Sequence, residues 1–403
     1  MLSGKNIILG ISGGIAACKT PELIRLLRKE GAAVKTVATE NGLRFAGKAA
    51  LSALSGNPVL TDIFDEGLGG APAHIEITDK ADLFLTAPAT ADVISKFACG
   101  TADDALSSLY AATGCPVLIA PSMNSRMWES PAVKRNCRTL SSDGVFFCGP
   151  AEGELACGTS GRGRMSEPRE IVDACIYHLT EKKLAGKKAL VTAGPTREAI
   201  DPVRFISNRS GGLMGYSMAF ALSCMGAETK LISGPVKRPA PYKVDLIAVE
   251  TAAEMYDSVM DVIKDVDISV FSAAVGDFTP ADYSNAKIKK SSCKSLSAIN
   301  LKKTRDILAE VSQTENRGFT VGFCLETGSP EEEAARKLKE KKCDMIVANN
   351  ALSEDAGFES HTNRVSVLFP GESPVKVPLM EKRKLGFRLA DIICKKISGK
   401  KNG

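Results

Sequence analysis

Three residues able to perform acid–base or carboxylate chemistry stand in separate segments of the first half of the chain. Asn124 lies in Pro-Ser-Met-Asn-Ser-Arg-Met-Trp (121–128), directly after an apolar run typical of a buried parallel strand. His74 follows a glycine-rich stretch, and Cys157 stands between Gly and Arg residues in the segment 152–164. An amide can hold a carboxylate, an imidazole can accept a proton, and a thiol ionises more readily near Arg. Each residue taken alone is also compatible with a structural role.

Two other segments of the first half suit phosphate binding. Gly-Ile-Ser-Gly-Gly-Ile-Ala (10–16) joins the first predicted strand to the first helix, where backbone N–H groups attract phosphate and Gly permits close approach. The run matches neither GxGxxG nor GxxxxGK[ST], which favours a single terminal phosphate, as in FMN, over a dinucleotide or a Walker loop. The small and hydroxyl residues of 85–92 follow another strand and suit a phosphate or ribityl group. A purely structural glycine turn remains an alternative.

The second half contains a comparable set of groups. Ser-Asn-Arg-Ser-Gly-Gly-Leu-Met-Gly (207–215) opens a predicted helix and is a further candidate phosphate site. Asp277 follows a strand, and the lysines within 287–290 supply cations suited to a triphosphate. Lys337 and Lys341 are four residues apart and share a helix face. A helix start and a solvated basic turn are the structural alternatives.

Composition limits the classes of function. The 403 residues, with 44% hydrophobic and 25% charged content and a net charge of +5, predict an ordinary globular protein of two domains. The absence of an aromatic-rich basic strand argues against a nucleic-acid platform. The 12 Cys include no Cys-x-x-Cys pair, which indicates reduced thiols in the cytoplasm and no metal site. A secretory signal and an uncharged run of membrane-spanning length are both lacking.

Alternating strand and helix patterns position these groups. Two segments read as the start of an α/β domain, which places a boundary near Leu184 and defines domains 1–184 and 185–403. Predicted strands occupy 6–11, 33–38, 82–86, 116–120 and 145–148, then 188–193, 228–233, 244–249, 267–272, 319–324 and 344–348. Helices are predicted at 22–29, 171–183, 212–225 and 381–397, with Pro21 starting or kinking the first, and an edge hairpin is predicted at 363–377. The expected fold is therefore two doubly wound, Rossmann-like domains, the first of them flavodoxin-like, with 152–164 as an irregular mobile loop.

Four motifs of the first half resemble the flavin-dependent cysteine decarboxylases, and their order along the chain is the same. They are Ser-Gly-Gly-Ile-Ala-Ala (12–17), Ala-Pro-Ala-Thr-Ala (87–91), the segment 121–128 and Gly-Glu-Leu-Ala-Cys-Gly (153–158). The resemblance implies that FMN contacts Ser12, Gly13, Gly14, Ile15, Thr86, Ala87, Pro88, Ala89, Thr90, Ala91 and Asp92. Asp92 is a departure, because the family usually has Asn at this position. Substrate contacts are expected from Met123, Asn124, Ala156 and Arg162.

The same resemblance implies a mechanism and a substrate, 4'-phosphopantothenoylcysteine. FMN oxidises the cysteinyl part of the substrate to a thioaldehyde, which delocalises the carbanion that remains when CO2 leaves. His74 is expected to act as the base, and Asn124 is expected to orient the carboxylate. Cys157 is expected to protonate the enethiolate as the hydride returns.

The motifs of the second half resemble the phosphopantothenoylcysteine synthetases. This resemblance implies that CTP and 4'-phosphopantothenate form an acyl-cytidylate, from which the amine of cysteine displaces CMP. Asn208 matches the residue that handles the acyl intermediate, and Mg2+ is expected with the triphosphate, its ligands unassigned. Thr304-Arg305 stands where the family usually has Asn-Pro. Nucleotide contacts are implied for Ser272, Ala273, Ala274, Asp277, Lys287, Arg305, Asp306, Ile307, Leu308, Phe323, Lys337 and Lys341.

The two resemblances together cover about residues 5–395 and are typical of the bifunctional proteins of coenzyme A biosynthesis. Two alternatives stay open: a flavin-dependent peptidyl-cysteine decarboxylase, and a non-catalytic flavoprotein that regulates a phosphatase. The synthetase-like half argues against the first, and the full set of His74, Asn124 and Cys157 argues against the second. The partners expected are small-molecule substrates and copies of the chain itself, with trimeric flavin units and dimeric ligase units combined in a dodecamer.

Overall fold

The chain forms two compact units, Met1–Thr180 and Glu181–Gly403. Leu184, near which we placed the domain boundary, is buried in the core of the second unit. The candidate residues His74, Ala156 and Cys157 lie outside the described residues. The computed structural model describes residues 1–62, 77–154, 158, 160–289, 298–315, 317–326, 328–350 and 360–399.

The first unit is built on a five-stranded parallel sheet. Its strand order, β2–β1–β3–β4–β5, is the flavodoxin order and confirms the predicted fold. The strands of this sheet are Asn6–Ile11 (β1), Ala33–Ala38 (β2), Leu83–Ala89 (β3), Val117–Pro121 (β4) and Phe146–Phe147 (β5). The helices, which follow a short 3-10 turn at Ile15–Lys19, are Thr20–Lys29 (α1), Glu40–Leu43 (α2), Lys48–Ser55 (α3), Ala91–Cys99 (α4), Ala105–Ala112 (α5), Ser125–Glu129 (α6), Pro131–Ser142 (α7) and Pro168–Leu179 (α8).

Local sequence explains these elements. Strands β3 and β4 are buried along their whole length, as expected for a parallel sheet covered on both faces. Pro21 lies in the first turn of α1, where its missing N–H leaves no helical bond unmade, as predicted. Asp104 begins α5 with a capping box, in which its carboxylate accepts from the Ser107 N–H at 2.8 Å.

Two predictions for the first unit were wrong. Strand β3 does not end at residue 86 but continues through Ala89, so Thr86 to Ala89 are strand rather than loop. The segment 152–164 is not an irregular loop at its ends: Ala151–Glu154 (β6) and Ser160–Arg164 (β7) pair as an antiparallel hairpin. Gly163 of this hairpin serves packing, because a Cβ there would lie 2.3 Å from the Met123 carbonyl oxygen.

The second unit is built on an eight-stranded sheet. Its order, β12–β11–β8–β13–β16–β17–β18–β19, begins with six parallel strands in the Rossmann order and ends in an antiparallel hairpin, as predicted. The strands of the unit are Lys188–Ala193 (β8), Arg197–Ala199 (β9), Phe205–Ser207 (β10), Glu228–Ser233 (β11), Val244–Ala248 (β12), Ile268–Phe271 (β13), Phe278–Pro280 (β14), Leu301–Lys303 (β15), Phe319–Glu326 (β16), Met345–Asn350 (β17), Thr362–Leu368 (β18) and Val375–Glu381 (β19). The helices are Leu213–Cys224 (α9), Ala252–Met260 (α10), Ile307–Val311 (α11), Pro330–Glu340 (α12) and Lys382–Gly399 (α13), with a 3-10 turn at Ile263–Asp265.

Helices α9 and α13 pack closely against each other on this sheet. Gly386 permits the close approach, because a Cβ at this position would lie 2.6 Å from the Ser217 carbonyl oxygen. The rings of Phe220 and Phe387 meet edge-on, with centroids 5.9 Å apart.

Two small antiparallel pairs, β9–β10 and β14–β15, were not predicted. None of the helices in the described ranges is long and apolar enough to span a membrane.

Candidate functional site

The first unit contains a cavity of about 810 Å³. Thr86, Ala87, Pro88 and Ala89 do not line it, because they lie within the buried strand β3. Arg162 is exposed and outside the wall, whereas Arg164, which we did not predict, lines the cavity. The wall brings together the remaining candidates of the first unit that the structure describes, namely Ser12, Gly13, Gly14, Ile15, Thr90, Ala91, Asp92, Met123 and Asn124.

Ser12 joins the two candidate flavin-binding segments. Its hydroxyl donates to the Pro88 carbonyl at 2.8 Å and accepts from the Thr90 N–H at 3.0 Å. The residue is only 1% exposed. Next to it, a Cβ on Gly13 would lie 2.4 Å from the Asn41 Cβ, so only glycine fits this position. These contacts hold the ends of β1 and β3 together at one corner of the cavity.

The segment that contains Asn124 is held between a helix and a hairpin. The Asn124 Oδ1 accepts from the Arg126 N–H at 2.9 Å and so caps α6. The Met123 N–H donates to the Gly163 carbonyl of β7 at 2.9 Å. Trp128 is buried, with the Lys134 ammonium 4.6 Å from its ring centroid, so it packs beneath the segment. Met127, by contrast, does not pack in the core and is 48% exposed on the cavity wall.

Charged side chains surround the first cavity in two clusters. Lys96 contacts Asp103 at 2.8 Å and Asp104 at 2.9 Å. Hydrogen bonds to these two carboxylates raise the pKa of Lys96 above its ordinary value. Glu167 accepts from Lys19 at 2.9 Å and also contacts Arg164, and the hydrogen bond from Lys19 is the main reason that the pKa of Glu167 is lowered. The cavity thus has cations on the side of Glu167.

The second unit contains a cavity of about 850 Å³. Lys287 is exposed and is not part of its wall. Eleven of the twelve candidate nucleotide residues, together with Asn208, line this one cavity: Ser272, Ala273, Ala274, Asp277, Arg305, Asp306, Ile307, Leu308, Phe323, Lys337 and Lys341.

Asn208 connects two walls of the second cavity. Its Nδ2 donates to the Val275 carbonyl at 2.9 Å and to the Ala274 carbonyl at 3.3 Å. On the other side of that loop, the Thr304 hydroxyl donates to the Gly276 carbonyl at 2.6 Å. Thr304 therefore fixes the backbone beside Asp277, although it departs from the family pattern. The neighbouring departure, Arg305, places its guanidinium 4.6 Å from the centroid of the Tyr256 ring.

Two lysines of the second cavity form ion pairs. The Lys337 ammonium lies 2.7 Å from Glu326. Burial opposes the charged form of Lys337, but the hydrogen bond to Glu326, together with the charge of Glu326 and the contact with Cys324, outweighs burial and raises the pKa of Lys337. Lys341 contacts Asp306, whose carboxylate also caps α11 by accepting from the Ala309 N–H at 3.0 Å. Burial would raise the pKa of Asp306, but these hydrogen bonds lower it.

The backbone next to Lys287 is anchored by a buried carboxylate. Asp201 accepts from the Ile288 N–H at 3.2 Å, and Arg204 donates to the Ile288 carbonyl at 3.0 Å. The Arg204 guanidinium holds the pKa of Asp201 well below its usual range. Sequence reasoning did not identify either of these two residues as part of the site.

Sequence reasoning also missed one further side of the second cavity. Asn363 is 3% exposed and Lys382 is 4% exposed, and both line the wall together with Asn349. These residues lie in or beside the edge hairpin, and no motif marks them. In the described residues, no group of three or more His, Cys, Asp or Glu is placed to hold a metal ion. One or two carboxylates with substrate phosphates suffice for Mg2+, and Asp277 fits this pattern.

Comparisons with known proteins give consistent results for both units. The family model described as "Flavoprotein" matches residues 1–180, and the model "DNA/pantothenate metabolism flavoprotein C-terminal domain" matches residues 184–397. The chain is similar to the "Coenzyme A biosynthesis bifunctional protein CoaBC" of Vibrio vulnificus (strain YJ016), with 44% identity over 96% of this chain and 97% of the relative. Proteins of the same description from Bacillus subtilis (strain 168) and Escherichia coli (strain K12) are 43% and 41% identical, over 98% and 97% of both chains.

Proposed function

Because the chain belongs to the family of coenzyme A biosynthesis bifunctional proteins, we propose that each unit performs one of two reactions in its own cavity. The chain is a two-activity enzyme, a phosphopantothenoylcysteine decarboxylase and a phosphopantothenate–cysteine ligase. We assign decarboxylation to residues 1–184 and ligation to residues 185–403. The observation that carries this assignment is that motif residues distant in sequence line one cavity in each unit.

The first cavity fits a flavin mononucleotide. Its volume, about 810 Å³, is that of a small-molecule site. The corner formed by Ser12, Gly13 and Thr90 would hold the cofactor, and Gly13 keeps the backbone there free of a side chain. When bound, FMN supplies the two-electron oxidation that makes loss of CO2 from the cysteinyl group possible.

The protein residues of the first cavity then orient the substrate and move protons. Asn124 would hold the departing carboxylate, and its cap on α6 fixes the direction of the amide. His74 would accept a proton, and Cys157 would donate one to the enethiolate; both assignments rest on the motifs alone. Lys19 and Arg164 add positive charge on one side of the cavity, where the substrate phosphate would be stabilised.

The second cavity suits acyl activation by CTP. The nucleotide would contact Arg305 to Leu308, Phe323, Lys337 and Lys341, with Mg2+ bound to its phosphates and to Asp277. Asn208 would hold the acyl group of the cytidylate, because its amide already bridges the loop that carries Ala274 and Val275. The amine of cysteine would then attack the acyl carbon and release CMP.

One incubation tests both activities. The purified protein with 4'-phosphopantothenate, CTP, Mg2+ and cysteine is expected to yield 4'-phosphopantothenoylcysteine and then 4'-phosphopantetheine, followed by mass spectrometry. The protein should also show the visible absorption of a bound flavin. A colourless protein that forms only the first product would contradict the decarboxylase assignment. Pyrophosphate release that requires cysteine would contradict an acyl-cytidylate, which forms before cysteine reacts.

Two alternatives remain as outcomes of this test. A peptidyl-cysteine decarboxylase would release CO2 from peptides ending in Cys, and a non-catalytic flavoprotein would show colour without turnover.

Ten Cys of the described chain are free thiols, which supports a cytoplasmic location.

We further propose that the chain assembles with copies of itself, as trimers of flavin units and dimers of ligase units. Apolar side chains exposed in or beside β10, β14 and β15 support the ligase contact: Val203, Phe205, Phe278, Tyr283 and Leu301. Native mass spectrometry would determine the number of chains in the assembly.

A further inference from the structure

A further cation lines the ligase cavity beside Lys337 and Lys341, which are both paired with carboxylates. Arg305 also lies on the wall, and within the ranges that the structure describes it forms no ion pair with a carboxylate. Its guanidinium contacts the ring of Tyr256 instead. Because an aromatic ring does not neutralise a cation, Arg305 keeps its full charge for a ligand.

Tyr256 presents a fixed ring to Arg305. The guanidinium lies over this ring, 4.6 Å from its centroid, and a guanidinium held in this way keeps N–H groups at its edge able to bind an anion. The Tyr256 hydroxyl donates to the Glu310 Oε2 at 2.6 Å, and this hydrogen bond is the main reason that the pKa of Tyr256 lies above its ordinary value. The phenol therefore stays neutral, and the Glu310 carboxylate is engaged with it.

The helix that carries Tyr256 is itself anchored at the cavity. The Ala252 N–H, in the first turn of α10, donates to the Glu198 Oε1 at 2.9 Å, and Glu198 is 4% exposed. Tyr256 follows Ala252 by four residues and therefore lies on the same side of α10. Glu198 also packs against the cavity wall, because a Cβ on Gly276 would lie 3.4 Å from the Glu198 Cγ. The position of the ring is thus tied to the loop that carries Asp277.

Arg305 directly follows a residue that is bonded to the same loop. The Thr304 N–H donates to the Asp277 carbonyl at 3.0 Å, and the Thr304 hydroxyl donates to the Gly276 carbonyl at 2.6 Å. Asp277 is the carboxylate to which we assign Mg2+, and Mg2+ on a nucleoside triphosphate bridges the terminal phosphates. Arg305 is therefore attached beside the place where those phosphates would lie.

We propose that Tyr256 and Glu310 are positioning residues that direct Arg305 toward the two phosphates of CTP that leave as pyrophosphate. The inference rests on the proposed ligase function and deepens it. A carboxylate oxygen of 4'-phosphopantothenate attacks the α-phosphorus, the bond from this phosphorus to the bridging oxygen of the β-phosphate breaks, and pyrophosphate keeps the electron pair. Arg305 stabilises the charge that develops on this leaving group. Proline, which is usual at this position in the synthetases that the chain resembles, has no charge to supply.

Binding of CTP and of CMP to the full-length Arg305→Gln variant tests this inference. Glutamine keeps a polar side chain and removes the charge, so we expect Kd for CTP, measured by titration calorimetry with Mg2+, to rise on the order of tenfold. Kd for CMP, which lacks the two phosphates, should not change. Lys302→Gln is the matched control and should bind both nucleotides as wild type does, because Lys302 is exposed on β15 and is not part of the wall. Equal rises for CTP and CMP in Arg305→Gln, or no rise for CTP, would overturn the inference.

Variants of Tyr256 separate positioning from a merely structural role. Tyr256→Leu removes the ring, so Kd for CTP should rise severalfold in the wild-type background and no further in Arg305→Gln. Tyr256→Phe keeps the ring but loses the hydrogen bond to Glu310, and its loss should lie between those of wild type and Tyr256→Leu. Losses from Tyr256→Leu and Arg305→Gln that simply add would show that the two side chains act independently and would overturn the positioning role. A wild-type protein that does not bind CTP would instead refute the proposed ligase function.

Discussion

At the scale of single residues, the two asparagines with assigned roles both bond to backbone at their cavity. Asn124 caps a short helix through its Oδ1, and Asn208 donates its Nδ2 to two carbonyls. An amide fixed in this way presents its remaining groups in one orientation, which is how an uncharged side chain gains specificity.

Asn208→Asp is expected to abolish most of the ligase activity only. The carboxylate cannot donate to the carbonyls of Ala274 and Val275 and repels them. We therefore expect kcat/KM for ligation to fall roughly 100-fold, as when an oriented amide donor is removed from an active site. Decarboxylation, measured on 4'-phosphopantothenoylcysteine with the same protein, is the internal control. An equal loss of both activities would show that Asn208 supports the fold rather than the reaction.

Cys157→Ser is expected to separate two steps of decarboxylation. A serine hydroxyl is a much weaker acid than a thiol, so CO2 should still leave while the unsaturated intermediate is not protonated. Mass spectrometry should find a product two hydrogens lighter than 4'-phosphopantetheine. Complete turnover by this variant would exclude Cys157 as the proton donor.

Glu167 should make the stability of the first unit depend on pH. The lowered pKa of its carboxyl means that the ionised form stabilises the fold above the unfolded pKa of 4.5. This contribution is lost as pH falls through the lower, folded pKa. Tm measured from pH 7 to pH 3 should therefore fall less steeply below about pH 4.5 in Glu167→Gln than in wild type. Parallel curves for the two proteins would contradict the assigned ion pairs with Lys19 and Arg164.

At the scale of elements, the hairpin β6–β7 links the sequence around Cys157 to the segment that carries Asn124. Gly163 and Met123 bond through their backbones at 2.9 Å, and the residues between the two strands include Cys157. The hairpin therefore ties its own motif to the Asn124 segment through the backbone of β7.

Gly163→Ala should damage the decarboxylase through packing. The added Cβ would lie 2.3 Å from the Met123 carbonyl, so the hairpin or the Asn124 segment must shift, with a loss of about 1–3 kcal/mol of stability. We expect kcat to fall at least tenfold, measured with Tm on the same samples. Gly144→Ala is the matched control, because Gly144 also has a positive φ, +88°, and an added Cβ would meet nothing within 4 Å. Similar effects in both variants would contradict the packing explanation and show that backbone strain at a positive φ causes the loss.

Sequence patterns predicted the parallel strands of both sheets well. Strands at 6–11, 33–38, 188–193 and 228–233 match the structure to the residue, because their apolar runs are bounded by turn residues. The pairs β9–β10 and β14–β15 escaped prediction because three-residue strands have no periodicity. The hairpin β6–β7 was not predicted because its Gly163 is required by a contact with Met123, which is distant in sequence.

The candidate sites were predictable where a motif follows a strand. The motif at 12–15 lines the cavity of the first unit, and the motif at 272–277 lines the cavity of the second. In each unit this follows because the carboxyl ends of parallel strands share one edge of the sheet. Arg164 and Lys382 could not be found in this way. Their positions depend on a hairpin and a terminal helix that pack from elsewhere in the chain.

At the scale of the whole molecule, the two activities occupy units with separate cores. The apolar clusters around β3 and around β8 share no residue, and each unit completes its own sheet. Each unit thus has what a domain needs to fold alone.

We expect residues 1–180 and 181–403, produced as separate proteins, each to fold and keep one activity. The first should show flavin absorption and release CO2 from 4'-phosphopantothenoylcysteine, and the second should ligate cysteine with CTP. Circular dichroism and the two assays provide the measurement, with the full chain as the reference. A fragment that unfolds would show that the units depend on each other for stability.

The paired lysines of the second cavity affect which anions can bind there in a cell that contains many of them. Lys337 is paired with Glu326, and Lys341 with Asp306, so the protein neutralises both cations internally. A polyanion that offers only charge gains little by replacing a carboxylate that already neutralises the lysine, and nucleic acids and free phosphates are such polyanions. A ligand whose base and phosphates fit the whole cavity can displace both carboxylates at once. Glu326 and Asp306 thus compete with the phosphates of any ligand for the two lysines. Only a ligand that gains further binding energy from the shape of the cavity should bind tightly.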